Sequence, residues 1–231
     1  MIATRLLKRR IWRMFALALA LGLACAAAST FALGWRPSTN SYAFQGPDVS
    51  EAQGSIDWWS VKDGGADFAY VRATMGADGR DTRFQDNWRA VPVTGMRRGA
   101  VHVYSLCRPA TDQANNFNTN VPRTDDALPA AVEIDFTPEC DLRPARDVVL
   151  DEMRTFLTMV EAHTGKPMLL KVSQRFETTY RLSAGIPRPV WEVQNMIPPD
   201  YAARPWRMWQ ANDMRRIDGV TGPVNWNVVA P

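Results

Sequence analysis

Two carboxylates, Glu133 and Asp135, interrupt an apolar stretch, "LPAAVEIDFTPEC", at residues 128–140. Side chains on a strand alternate faces, so Glu133 and Asp135 share one face while Val132, Ile134 and Phe136 share the other. An unpaired buried carboxylate is costly, and two neighbours raise each other's pKa. The stretch alone leaves two readings open. Either the pair does acid–base chemistry, or it lines a wet strand face or pairs with arginine.

Such groups need a scaffold, and the chain has the pattern for one. Strand-like apolar runs recur at 43–50, 66–74, 99–104, 129–136, 167–172, 189–194, 206–210 and 224–229. Helical or loop segments lie between them: 55–64 with Ser55 as N-cap, 82–91, 110–117, a long helix over 145–165, and 173–182. In the long helix Val149, Met153, Phe156, Leu157 and Val160 recur at helical spacing, and Gly165 ends it. Alternating strand and helix predicts an α/β fold with a parallel sheet. Eight strands predict closure into a single TIM-like (β/α) barrel with fewer than eight helices, because the later connections are short and rich in proline. Chemistry in such barrels sits at the C-terminal ends of the strands, where Asp48, Glu133 and Asp135 fall. Asp57, placed inside the helix that Ser55 caps, reads as structural.

The first 34 residues form a separate segment. Arg5, Lys8, Arg9, Arg10 and Arg13 precede an uncharged apolar run from Phe15 to Trp35. This is the pattern of an export signal or an uncleaved signal anchor. The predicted division is therefore 1–34 signal peptide or anchor, 35–44 short linker, and 45–231 a single folded domain, a size suited to one core. The remainder carries 22 basic against 24 acidic groups, so a charge-driven nucleic-acid role fails. Only Cys107 and Cys140 follow the signal, and an exported compartment permits a disulfide. No metal-ligand spacing, phosphate loop or nucleophile elbow stands out, and no cofactor or metal is expected. His102 reads as a core residue and His163 as a surface one. With the carboxylates as the chemistry on offer, hydrolysis of a glycosidic bond is the reaction they suit.

"GPDVSEAQGSIDW" (46–58) resembles the opening of family 25 glycoside hydrolases, lysozymes that cleave the 1,4-β-N-acetylmuramoyl linkage of peptidoglycan. The resemblance continues in order through "FAYVRATMG" (68–76), "DTRFQDNWRAVPVTGMRRGAVHVY" (81–104), "ATDQANNF" (110–117), "LPAAVEID" (128–135) and "WRMWQANDMRRIDGVTGPVNWNVV" (206–229). It implies a flattened barrel with a groove across the C-terminal mouth. It also implies that Asp48, Glu133 and Asp135 are catalytic. Asp135 falls on the general acid and Glu133 on its acidic partner. Asn225 falls on a further active-site Asp, while Trp191, Trp209, Gln210 and Tyr104 become substrate-binding candidates. The singly weighed alternative for these aromatics is core packing.

The chain departs from the family where it matters most. The family writes D-x-E; this chain writes Glu133-Ile134-Asp135. An acid shortened by a methylene sits roughly 1 Å farther from its target, a displacement that can cost on the order of 100-fold. A peptidoglycan-binding module with an impaired site is therefore the alternative reading, and a surface-docking role in an envelope assembly is a third. The expected partners are peptidoglycan glycan strands and, if the N-terminal segment is uncleaved, the inner membrane. The expected state is a monomer in the bacterial periplasm or cell envelope. If strands 99–104 and 129–136 are neighbours, Cys107 and Cys140 meet in adjacent loops as a disulfide beside the groove.

Overall fold

The computed structural model describes residues 2–231, with side chains described from Trp12 onward. The basic side chains Arg5, Lys8, Arg9 and Arg10 lie outside the described residues. Two compact units divide the chain, residues 1–35 and 36–231. The first is helix α1 (Ile2–Gly34), of which Trp12–Gly34 is long and apolar enough to cross a membrane.

The second unit contains the remaining elements. They are β1 (Gln45–Val49), α2 (Trp58–Asp63), β2 (Phe68–Met75), the two-residue β3 (Gly79–Arg80), α3 (Phe84–Val93), β4 (Arg97–Tyr104), α4 (Ala110–Asn120), β5 (Ala131–Ile134), α5 (Arg146–Thr164), β6 (Leu169–Val172), α6 (Gln174–Tyr180), α7 (Leu182–Gly185), β7 (Val190–Val193), β8 (Met208–Arg215) and β9 (Val224–Val229). Eight strands close a barrel in the order β1-β9-β8-β7-β6-β5-β4-β2, with β1 pairing back onto β2 and β3 added outside as a hairpin on β2. Gly46 permits that closure, because a Cβ there would lie 1.9 Å from the Phe68 carbonyl oxygen.

The expected parallel pairing holds from β1 through β2 and from β4 to β8, while β9 runs antiparallel to both β8 and β1. The physical reason is the connection at 216–223, too short for a crossover helix and turned by Gly219 and Gly222, both at positive φ. A reversed strand brings its N-terminal end to the mouth, so Asn225 sits directly opposite Asp48. Segment 36–44 is also no free linker. The Gln45 side-chain amide donates to the Pro37 and Tyr42 carbonyls, and the Tyr42 ring packs against Trp206 and Trp209.

Strand alternation sorts the core into two layers. Outward-facing Val71, Ala100, Val132, Ile134, Leu170 and Val172 pack against the helices, including the apolar stripe Val149, Met153, Phe156, Leu157 and Val160 of α5. Gly165, at φ 73°, closes that helix. Inward-facing Phe68, Tyr70, Val101, Ala131, Leu169, Trp191 and Met208 plug the lower barrel. Ser55 does not cap α2. Asp57 does, its carboxylate accepting from the Trp59 and Ser60 amides, because a charged oxygen at the first turn satisfies two orphan donors at once.

Cys107 follows β4 and Cys140 follows β5, and the two are bonded with Cα atoms 5.7 Å apart. The bridge spans 33 positions, and closing a loop of that size restricts the unfolded chain by about 3–4 kcal/mol. The double variant Cys107→Ser/Cys140→Ser should lose roughly 2–4 kcal/mol in a urea titration. Unreduced protein should offer alkylating reagent only the thiol of Cys25; three alkylatable thiols would overturn the pairing.

Candidate active site

The polar upper half of the barrel holds a cavity of about 190 Å³, lined by Asp48, Val49, Ser50, Gln53, Arg72, Val101, Glu133, Asp213, Pro223 and Asn225. Its floor is an ion cluster. Lys171, on β6, is only 3% exposed and reaches Asp48 at 3.2 Å and Glu133 at 3.1 Å. Its ammonium stands 4.8 Å from the centroid of the Trp191 ring below. Asp48 also accepts from Asn225 Nδ2 at 2.8 Å and Asn227 Nδ2 at 3.0 Å. Strand registers place these groups, with Glu133 level with Lys171 and Asp48 level with Asn225.

The electrostatics are set by competition between burial and charge. Burial alone would push the Glu133 carboxyl up, but Lys171 and Arg72 outweigh it and hold Glu133 below the usual carboxylate range. Burial would likewise push Lys171 down, and the charges of Asp48 and Glu133 raise it instead. Both partners are therefore held charged.

Asp135 sits differently from the expected strand position. β5 ends at Ile134, and the Asp135 carboxylate, 33% exposed, turns to residues at the start of α6. Arg175 grips both its oxygens, Nε to Oδ1 at 2.6 Å and Nη2 to Oδ2 at 2.7 Å. Ser173 donates from Oγ at 2.6 Å, and the Phe136 amide donates to the same oxygen at 2.8 Å. Burial pushes this carboxyl up, and these hydrogen bonds outweigh it and hold it low. The pairing of carboxylates with cations, one of the two readings open in the sequence, is present in the structure. Asp135 takes an arginine and Glu133 a lysine.

Of the substrate-binding candidates, Asn225 alone lines the cavity. Tyr104 is on the outer face of β4, buried against His102 and Phe156. Trp191 is fully buried in the barrel plug, its indole donating to Asn227 Oδ1 at 3.1 Å. Trp209 is buried beside Tyr42 and Trp206 and donates to the Gln194 carbonyl. Gln210 is 5% exposed and outside the cavity lining. The structure places these four away from the cavity lining: alternation within closed strands buries the three aromatics in packing contacts. His102 is buried between Thr74 Oγ1 at 2.8 Å and Gln113 Oε1 at 3.2 Å, and burial pushes it down to about 4, so it stays neutral. His163 is half-buried rather than superficial, with Nε2 2.9 Å from the Val121 carbonyl.

Sequence reasoning missed Arg72, Lys171, Arg175 and Asp213. A signal existed for two of them. Arg72 and Lys171 each break an apolar strand, as Glu133 does, and the same argument applies to them. Among the described residues no cluster of metal-ligating side chains occurs.

Lys171→Met would leave Asp48 and Glu133 facing each other without their cation. Breaking one side of a buried pair costs about 3–5 kcal/mol. In the natural chain Glu133 lies below its ordinary 4.5, so its stabilisation is complete above that pH and fades as pH falls through the folded value. In the variant the remaining repulsion should reverse the trend, with stability rising on acidification through the carboxylate range. Urea titrations at pH 4 and pH 7 check this, and equal losses at both would refute it.

The sequence profile of glycosyl hydrolases family 25 matches residues 47–220. The uncharacterized protein YegX of Escherichia coli K12 is 32% identical over 195 residues, covering 81% of this chain and 70% of that protein. Lysozyme M1 of Streptomyces globisporus is 30% identical over 202 residues, covering 79% and 66%. Among solved structures, a family 25 glycosyl hydrolase from Bacillus anthracis superposes with a TM-score of 0.78 at 28% identity, covering 84% of this chain and 92% of that one. A bacterial lysozyme from Streptomyces coelicolor gives 0.76 at 28%, covering 81% and 92%. A profile over most of the barrel, with the acidic cluster at its mouth, decides the assignment: this chain belongs to glycosyl hydrolases family 25, the lysozyme-type glycosidases.

Proposed function

We propose that the chain hydrolyses the β-1,4 bond between N-acetylmuramic acid and N-acetylglucosamine in peptidoglycan. The observation that carries this reading is the carboxylate arrangement at the mouth. Asp48 and Glu133 flank a buried lysine, which holds Glu133 low, and Asp135 stands at the lip on contacts that solvent can reach. These environments separate the roles. Glu133, clamped by interior charge, suits stabilising an oxocarbenium-like transition state together with Asp48. Asp135, at the lip, suits delivering a proton to the glycosidic oxygen as the C1–O bond breaks. Water then completes the hydrolysis at C1.

Residues 1–34 serve export or anchoring in this reading, because the substrate lies outside the cytoplasm. Residues 45–231 carry the catalytic function.

Purified peptidoglycan incubated with the exported portion should release muropeptides with muramic-acid reducing ends, identified by mass spectrometry. Asp135→Asn should lower turnover at least about 100-fold. Glu133→Gln should also be impaired, through lost charge stabilisation. Sedimentation with the glycan without any soluble product would replace hydrolysis by binding, and loss confined to Glu133→Gln would transfer the acid role to Glu133.

A further inference from the structure

A carboxylate that accepts hydrogen bonds on both oxygens from a cation is a poor proton donor, and this is the state of Asp135. Arg175 takes Oδ1 and Oδ2, and Ser173 and the Phe136 amide add to Oδ1. The clamp is nevertheless open to exchange. The Arg175 side chain is 61% exposed, so a second anion arriving from solvent can reach its guanidinium. Arg175 has a further tie, Nη2 to the Phe136 carbonyl at 2.6 Å, so its guanidinium stays at the lip when the carboxylate leaves. A planar two-pronged donor at the mouth of a glycan groove suits another carboxylate equally well. The muramic acid of the proposed substrate supplies one, on its lactyl group where the stem peptide is absent or on the stem peptide where it is present.

We propose that Arg175 is a two-partner positioning residue: it clamps Asp135 in the free chain and passes to a substrate carboxylate in the complex, releasing Asp135 to take up the proton it donates. The inference rests on the reading of Asp135 as the acid. The balance is simple. Released Asp135 takes a proton from solvent, gives it to the departing glycosidic oxygen, and recovers one from the incoming water.

The other groups facing Asp135 do not replace Arg175. Ser173 is neutral, and Glu133 on β5 carries a like charge, and Asp135 pushes its pKa up. Tyr201, from the β7–β8 connection, is pushed up by burial and stays protonated. Arg143 stacks on the Phe136 ring at 4.2 Å rather than on the carboxylate. Loss of Arg175 should therefore raise Asp135, whose low position Arg175 helps to hold.

The test uses the full chain, its R175A and R175K forms, and peptide-free glycan strands with lactyl carboxylates either intact or reduced to alcohols. The pH profile of kcat/KM reports the free enzyme and that of kcat the complex. In the natural chain the falling limb of kcat should lie at higher pH than that of kcat/KM. Carboxyl reduction should lower kcat/KM about tenfold, as expected for the loss of one charge-assisted pair. In R175A the two limbs should coincide and both glycans should be cut alike. R175K, a point charge without the fork, should fall between. Repeating the comparison on strands that retain stem peptides assigns the carboxylate to the lactyl group or the stem. Coincident limbs in the natural chain, or undiminished discrimination in R175A, would overturn the proposal. So would an R175A chain that melts like the natural one yet cuts neither glycan, since a clamp that only releases the acid is dispensable once removed. An active Asp135→Asn form is a different failure, of the acid assignment itself.

Discussion

Lys171 carries its charge into a barrel interior where it is 3% exposed, and the upper half of the molecule is arranged around that fact. Burying an ammonium is costly by several kcal/mol unless anions meet it there. Asp48 and Glu133 meet it, from strands on either side of the barrel mouth. Asp48 is in turn fixed by Asn225 and Asn227 of β9, the strand that closes the ring. A slip of one residue in any of β1, β5, β6 or β9 would turn a member of this cluster outward. The cluster therefore demands the same register that the outward-facing Val132, Ile134, Leu170 and Val172 demand for the core.

The barrel interior changes character along its axis, and function follows from the change. Below Lys171 the plug of Phe68, Tyr70, Leu169, Trp191 and Met208 excludes water. Above it the polar cavity opens to the mouth. An apolar floor strengthens the fields of the charges that stand on it. Glu133 thus keeps its negative charge against that floor, while Asp135, one residue beyond the strand, is open to solvent and held by Arg175. Two carboxylates two positions apart in the sequence end in two environments, and the roles proposed for them rest on that difference.

Much of the scaffold was legible because its causes are local. All eight apolar runs became strands, the α5 stripe became a buried helix face, and Gly165 ended it. Asp57 read correctly as structural but was placed one role away, since a choice between neighbouring caps depends on which oxygen reaches the Trp59 and Ser60 amides. The reversal of β9 was missed although the shortness of 216–223 could have announced it. Trp191, Trp209 and Tyr104 were drawn toward the groove by resemblance, whereas burial inside or outside a closed sheet consumed them.

By itself the sequence determined residue types, periodicity and the order of motifs, and with them the α/β barrel, the family and the two reversed carboxylates. Those are properties of near neighbours along the chain. The tertiary structure alone decided what each carboxylate faces. Asp48 meets Lys171 across 123 positions, and Asp135 meets Arg175 across 40. Charge states depend on distances between groups that chain proximity does not bring together. Coulomb energies fall with separation and rise with burial, and both quantities exist only once the barrel has closed.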